Sequence, residues 1–218
     1  MIRRIVRNPG AWYVAALSVM CPVLVLLPPD RVLALREWAS TNLANLHPWP
    51  SGHPVESLVV SAFVPQDSPW VWPVFALSVC TVVSALGARR AVVSLALAQV
   101  GATLLTEALV WWRIDHGALP ASEAHTLDTG PSYVVVAAMT VAVLRARPVW
   151  WRAVWLVMLL VAAPALLDGL GEGAVAAVGH VLAFAAGLVI AAVHRFRHSP
   201  PARPAPEAVP SPPAPART

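Results

Sequence analysis

The stretch Asp128-Thr129-Gly130-Pro131-Ser132-Tyr133 opens one apolar run of the sequence, and Val178-Gly179-His180 lies just inside the last one. A hydroxyl and an imidazole are costly to place in hydrocarbon, so polar side chains inside membrane spans are functional candidates by default. Serine and histidine are also the nucleophile and the base of a serine hydrolase. The question for the fold is whether it brings Ser132 and His180 together.

The composition indicates an integral membrane protein. Of the 218 residues 58% are hydrophobic and 12% are charged, and the mean hydropathy is +0.66. A soluble domain of this length cannot cover so much apolar surface. The net charge of +4 could suggest nucleic acid, but the basic residues are arginines in short clusters beside apolar runs, which is typical of topology signals. Cys21 and Cys80 fall in predicted spans and give neither a disulfide framework nor metal spacing.

Six apolar runs each approach the ~20 residues that a helix needs to cross the hydrocarbon. They lie at about 11–29, 68–86, 91–111, 129–145, 149–167 and 174–193. The N-terminus resembles the basic region of a signal peptide, but the first apolar run is long for a signal core, so we expect a retained first span. Twelve arginines fall on one side of the spans and three on the other. The positive-inside rule therefore places both termini in the cytoplasm.

The predicted fold class is all-α, a polytopic bundle of six transmembrane helices. The membrane domain covers 11–195, between a cytoplasmic N-terminus at 1–10 and a cytoplasmic tail at 196–218. Residues 30–67 form a long outer loop whose tryptophans suit the headgroup level. The tail is rich in Pro and Ala and is predicted to be disordered. Polyproline recognition of the tail by a cytoplasmic partner is a compositional hypothesis.

Spans four and six are predicted to run in the same direction, from outside to inside. Ser132 then lies ~5–6 Å deep and His180 ~9–10 Å deep, at 1.5 Å per residue. Pro131 suits the first helical position, so N–H groups near Ser132 and Tyr133 lack intrahelical acceptors and could bind an oxyanion. Gly130 allows a peptide backbone to approach closely. His180 would take the serine proton and return it to the leaving amine.

Structural roles compete with this hypothesis. A serine in the first turn of a helix is often only a cap, and a histidine in a span can simply hydrogen-bond across helices. Asp128, just before the nucleophile, is expected to be solvated in its loop. Glu107 could cap a cavity or pair with Arg113, and a structural role is favoured. His47 and His53 are too isolated to indicate a metal site, and no cofactor is expected.

These residues resemble the rhomboid family of intramembrane serine proteases. Gly130-Pro131-Ser132 matches the first three positions of the family's Gly-x-Ser-Gly motif in span four, and His180 matches its histidine in span six. Ala183 and Gly187 follow where the family commonly has small residues, which let span six pack against span four. Further similar stretches are Ser61-Ala62-Phe63-Val64, Leu86-Gly87-Ala88-Arg89-Arg90 and Gly101-Ala102. The resemblance covers roughly residues 10–195 and is greatest to divergent rhomboid-like proteins of high-GC bacteria.

Two features depart from the family pattern. Tyr133 follows the nucleophile where the family has Gly. Span two of active rhomboids usually carries a His and an Asn of the oxyanion hole, and the stretch from Ser68 to Leu86 has neither. Loss of a side-chain donor can lower the rate about 10²–10³-fold. The outer loop contains four other polar candidates, which the sequence does not place at the site: Asn42, Asn45, His47 and Gln66.

The resemblance implies a serine protease of the bacterial plasma membrane that cuts transmembrane substrates with a Ser132–His180 dyad. A dyad is expected rather than a triad because no carboxylate is evidently placed to orient His180. The departures keep open a pseudoprotease that binds transmembrane helices without cutting them. A scaffold or transport subunit is the third alternative, although the spans carry no row of charges and no broken-helix pair. The expected partners are the bilayer and a transmembrane substrate or client, with no nucleic acid and no metal.

Overall fold

The computed structural model describes residues 8–47, 52–66 and 69–196, and these residues contain helices and turns but no strand. The helices are α1 (Pro9–Leu26), α2 (Pro29–Ala39), α3 (Leu43–Leu46), α4 (Pro54–Val60), α5 (Trp72–Leu86), α6 (Ala88–Asp115), α7 (Ser132–Arg145), α8 (Trp150–Leu166) and α9 (Val175–Phe196). Short 3-10 turns lie at Ser61–Phe63, Pro69–Val71, Ala121–His125 and Leu170–Glu172. The predicted all-helical fold class is confirmed for this part of the chain.

The six apolar runs each coincide with one long helix, but their lengths differ. The helices α1, α6 and α9 are long and apolar enough to cross a membrane. The helices α5, α7 and α8 are apolar but have only 15, 14 and 17 residues. At 1.5 Å per residue, such helices reach roughly 21–26 Å, less than the ~30 Å of a typical hydrocarbon core. The count of six spans and the orientation of the termini therefore stay predictions.

The region predicted as a long outer loop is largely helical where it is described. It contains α2, α3 and α4, and a proline stands in the first turn of α2 and of α4. Proline suits that position because a first-turn N–H has no intrahelical acceptor to lose. The Asn42 side chain caps α3 by accepting a hydrogen bond from Asn45 N–H at 3.0 Å. Of the predicted N-terminal segment and tail, nearly all residues lie outside the described ranges.

Helix α7 lies at the centre of the bundle. Its residues from Tyr133 to Ala142 are all buried, and α5, α6, α8 and α9 pack around it. A helix that is hydrophobic on all sides suits such a position. The outer helices instead expose large apolar side chains: Leu97, Leu160, Val161 and Val189 are 61–70% exposed. A continuous apolar surface of this kind is unfavourable in water and suits contact with lipid.

The contacts between α7 and α9 show that these two helices run parallel. A Cβ on Gly179 would overlap the Tyr133 ring, and a Cβ on Gly187 would lie 2.6 Å from Thr140 Cβ. Early residues of α7 therefore meet early residues of α9, and later residues meet later ones. Ala183, fully buried between these contacts, lies in one cluster with Tyr133. Small residues allow this close approach of the backbones, and Ser132 and His180 lie at the same end of the bundle.

Candidate active site

Ser132 is the first residue of α7, and a tight turn delivers the chain to it. Gly130 has φ +137°, a conformation that favours glycine. Its N–H donates to Ser61 O at 3.0 Å. Pro131 is the N-cap of α7, whereas the sequence predicts it as the first helical residue, so the helix begins one residue later than predicted. The Ser132 side chain is half-buried, and the N–H groups of the first turn have no intrahelical acceptors.

The segment that follows α4 lies against this turn. A Cβ on Gly130 would be 4.0 Å from Gln66 N, so the Gln66 backbone is close to the entrance of α7. Tyr13 OH donates to Ala62 O at 2.8 Å and thereby ties α1 to the same segment. Gln66 is therefore near the candidate nucleophile, whereas Asn45 serves the local fold by donating to Ser40 O at 2.8 Å. The sequence could not distinguish between these candidates because the contacts join distant parts of the chain.

His180 is buried, 9% exposed, and one of its nitrogens has a defined partner. Its Nδ1 lies 2.6 Å from Leu166 O, the carbonyl of the last residue of α8. A carbonyl only accepts, so Nδ1 carries the hydrogen of the neutral ring and Nε2 is the acceptor. In this tautomer the lone pair of Nε2 can accept a proton, as a general base requires. A backbone carbonyl thus orients the imidazole as a carboxylate does in a triad, and no residue pattern in the sequence indicates this contact.

Tyr133, the departure from the family motif, lies between Asp128 and His180. Its ring meets the His180 ring edge-on, with the ring centroids 5.5 Å apart. Its hydroxyl donates to Asp128 Oδ1 at 3.1 Å and to Oδ2 at 3.2 Å. The tyrosine side chain therefore packs against α9, and the hydroxyl at its far end joins the histidine to a buried carboxylate network.

Asp128 is 6% exposed, so the expectation that it is solvated in its loop is wrong. Thr41 Oγ1 donates to its Oδ2 at 3.1 Å, and Asp128 N–H donates to Ser40 Oγ at 2.9 Å. Burial raises the pKa of the Asp128 carboxyl above its ordinary value, while the hydrogen bonds from Thr41 and Tyr133 act in the opposite direction. The helical outer region buries this carboxyl, because Ser40 and Thr41 follow directly after α2.

The fold brings Ser132 and His180 to one end of the bundle without a hydrogen bond between them. Across the described ranges, Ser132 Oγ has no hydrogen-bond partner, and the aromatic contact of His180 is with Tyr133. Catalytic hydrogen bonds are often long or misaligned in the absence of substrate. A different Ser–His contact joins Ser94 Oγ to His194 Nε2 at 3.4 Å, which is the edge of hydrogen-bonding distance. This contact lies near the start of α6 and the end of α9. A comparison of the depths of serine and histidine residues along the predicted spans could have revealed it.

The other polar candidates have structural partners. Arg113 Nη1 donates to Gly173 O at 2.9 Å, which ties α6 to the turn between α8 and α9. It forms no ion pair with Glu107, which is buried on α6, within the part of the chain that is described. The described residues also contain no group of three His, Cys, Asp or Glu side chains that could hold a metal ion.

An all-helical bundle with membrane-length apolar helices defines this chain as a helical membrane protein. A family model described as rhomboid-like protein matches residues 3–199. The chain belongs to this rhomboid-like family, so the resemblance carried by Gly130, Ser132 and His180 leads to the right family. No curated protein and no solved structure matches the chain.

Proposed function

We propose that this protein is an intramembrane serine protease of the rhomboid type, with Ser132 as nucleophile and His180 as general base. One observation carries the proposal: the parallel packing of α7 and α9 puts both residues at one end of the bundle, where the Leu166 carbonyl leaves His180 Nε2 as the acceptor. Family membership supports a rhomboid-like membrane protein, and protease activity is the proposal built on it. The proposed location is the bacterial plasma membrane, with both termini in the cytoplasm.

In the proposed reaction, Ser132 Oγ attacks the scissile carbonyl carbon and its proton passes to His180 Nε2. The tetrahedral oxyanion is stabilised by N–H groups at the start of α7, where the helix dipole also favours negative charge. The C–N bond then breaks, and His180 returns the proton to the leaving amine. Water attacks the acyl-enzyme and gives its proton to His180, and the serine oxygen regains a proton as the acid product leaves.

Within this proposal, Tyr133 and Asp128 position the histidine. The edge of the Tyr133 ring limits how the imidazole can turn, and the bonds from Tyr133 OH to Asp128 fix the ring in place. The substrate is a transmembrane protein whose helix unwinds near its outer end to expose the scissile carbonyl. Dyad closure requires Ser132 Oγ to approach Nε2 when the substrate binds, as catalytic contacts often tighten in the Michaelis complex.

A second candidate function is a pseudoprotease that binds transmembrane helices without cutting them. It is favoured by the contact of His180 with Tyr133 and by the lack of a hydrogen bond to Ser132 Oγ in the described residues. The absence of His and Asn from the stretch between Ser68 and Leu86 points the same way. In that case the Ser132 side chain is dispensable for function, and the α7–α9 contact is purely structural.

The deciding experiment is labelling with a fluorophosphonate probe in membranes, which requires no known substrate. Wild type, Ser132→Ala and His180→Ala are compared, with Ser94→Ala as a matched control because Ser94 also contacts a histidine. The protease proposal expects labelling of wild type and Ser94→Ala only. An unlabelled wild type that is demonstrably folded contradicts the proposal and supports the pseudoprotease. Labelling that survives Ser132→Ala contradicts the assignment of Ser132 as the nucleophile.

A further inference from the structure

A cavity of about 710 Å³ opens between α5 and α8. One end of it is lined by Arg145, the last residue of α7. Since Ser132 begins the same helix, this end lies ~20 Å from the candidate nucleophile at 1.5 Å per residue. The cationic part of the cavity is therefore separate from the proposed active site, and binding there does not depend on whether Ser132 is catalytic.

The cationic end of the cavity contains several guanidinium groups that form no ion pair with any described residue. Arg147 and Arg152 line it together with Arg145, and an adjoining cavity of about 510 Å³ shares two of these arginines and adds Arg195. Among the described residues, no acidic side chain lines either cavity. Arg145 Nη2 donates to His194 O at 3.4 Å and Arg152 Nε to Ala146 O at 3.1 Å. A guanidinium has five N–H donors, so most of these donors remain available to an anion.

The rest of the cavity wall is mainly apolar. It is lined by Val74, Leu77, Ala85, Val154 and Met158, among others, from the facing sides of α5 and α8. A soluble anion such as inorganic phosphate gains nothing from such walls. The positive-inside rule accounts for arginines on this side of the predicted membrane, but it requires neither a cavity nor apolar walls beside them.

Trp155 lines the same cavity and carries a buried donor without an acceptor in the described residues. Its side chain lines the cavity and is 4% exposed. Its indole Nε1 is buried and has no hydrogen-bond partner within the described residues. A buried donor without an acceptor is unfavourable, and native structures usually satisfy it. A ligand oxygen would reach Nε1 only if the indole turned toward the cavity, because no water-sized group can touch this nitrogen as the side chains stand.

We propose that this cavity binds an anionic phospholipid. The phosphate contacts Arg145, Arg147 and Arg152, and the acyl chains lie along the apolar walls between α5 and α8. Guanidinium groups match phosphate oxygens in pairs, and basic cavities between membrane helices are suited to anionic headgroups. The volume falls within the usual range for ligand cavities, about 300–1,000 Å³. It accommodates the headgroup and the first part of the chains, while the rest extends into the bilayer.

The test uses the full chain, purified in a neutral detergent, with phosphatidylglycerol or phosphatidylcholine added. Bound lipid is counted by native mass spectrometry, and Tm is measured in parallel. We expect phosphatidylglycerol to bind at least tenfold more tightly than phosphatidylcholine and to raise Tm by several degrees. The double variant Arg147→Gln/Arg152→Gln is expected to lose both effects. Its matched control is Arg89→Gln/Arg90→Gln, which removes the same charge from residues that line neither cavity.

Two further arms keep the proposal falsifiable. Met158→Trp narrows the apolar part of the cavity without changing the charge and is expected to weaken selective binding, which covers the case of a double variant that does not fold. Equal loss in the Arg89/Arg90 control would overturn the proposal in favour of non-specific attraction. Glycerol phosphate that stabilises the protein as well as phosphatidylglycerol does would overturn it in favour of a phosphate site. Unchanged binding in folded Met158→Trp would also overturn it.

Discussion

The hydroxyl of Tyr133 donates to both carboxylate oxygens of Asp128, at 3.1 and 3.2 Å. The two residues are five positions apart. Asp128 lies in the loop before α7, and Tyr133 lies in the first turn of α7. Thr41, 87 residues away from Asp128 in the sequence, donates to the same carboxylate. The start of α7, the outer helical region and the α9 histidine are thus joined through one tyrosine side chain.

Removing the Tyr133 hydroxyl should weaken the fold. Tyr133→Phe keeps the ring contact with His180 but leaves Asp128 with one fewer hydrogen bond. Loss of a hydrogen bond to a buried group costs about 1–3 kcal/mol. We expect a lower Tm in detergent, with the helical circular dichroism signal at low temperature unchanged. A Tm equal to that of wild type would show that the bond contributes nothing measurable.

The raised pKa of Asp128 predicts that stability falls as the pH rises. A folded-state pKa above the ordinary aspartate value of about 3.9 means that the folded protein binds this proton more tightly than the unfolded chain does. The stability that this proton contributes is fully present below the ordinary pKa of aspartate. It is lost as the pH rises through the raised pKa of the folded state. Tm measured against pH should therefore decline above about pH 4. Asp128→Asn should show a shallower decline, and parallel profiles for the two proteins would contradict this.

The close contact of α7 with α9 predicts that Gly187→Ala destabilises the protein. The new Cβ would lie 2.6 Å from Thr140 Cβ and 2.8 Å from Ala137 O. Overpacking of this kind costs about 1–3 kcal/mol. Gly101→Ala is the matched control, since a Cβ there meets nothing within 4 Å. That change should raise stability by roughly 0.5–1 kcal/mol because alanine favours helix. Similar Tm shifts in the two variants would refute the assigned contact.

Arg113→Gln should loosen the turn between α8 and α9. Its guanidinium donates to Gly173 O at 2.9 Å and to Glu172 O at 3.5 Å. We expect faster proteolytic cleavage near residues 169–174 by at least severalfold, and a stability loss of about 1 kcal/mol. Arg113→Lys, which keeps the charge but offers a single donor group, should be intermediate. An unchanged cleavage rate in Arg113→Gln would argue against this tether.

Much of the fold could be predicted from the periodic and apolar character of the chain. Each of the six predicted spans coincides with a helix, and their ends differ by a few residues. The largest differences are at α5, which begins at Trp72 after a 3-10 turn, and at α6, which continues to Asp115. The helices within residues 30–67 were missed, because short helices with mixed composition have no strong apolar period. Their formation depends on packing against the rest of the bundle.

The sequence alone determined the protein's helical membrane character and its family. The length of the apolar runs indicates the first property, and the motif residues Gly130, Ser132 and His180 indicate the second, since both are features of the chain itself. The tertiary structure decided which side chain of the first turn of α7 meets His180. Consecutive residues on a helix point about 100° apart, so a rotation about the helix axis decides between Ser132 and Tyr133. It also decided that Asp128 is buried, because its partners Ser40 and Thr41 reach it only through long-range folding.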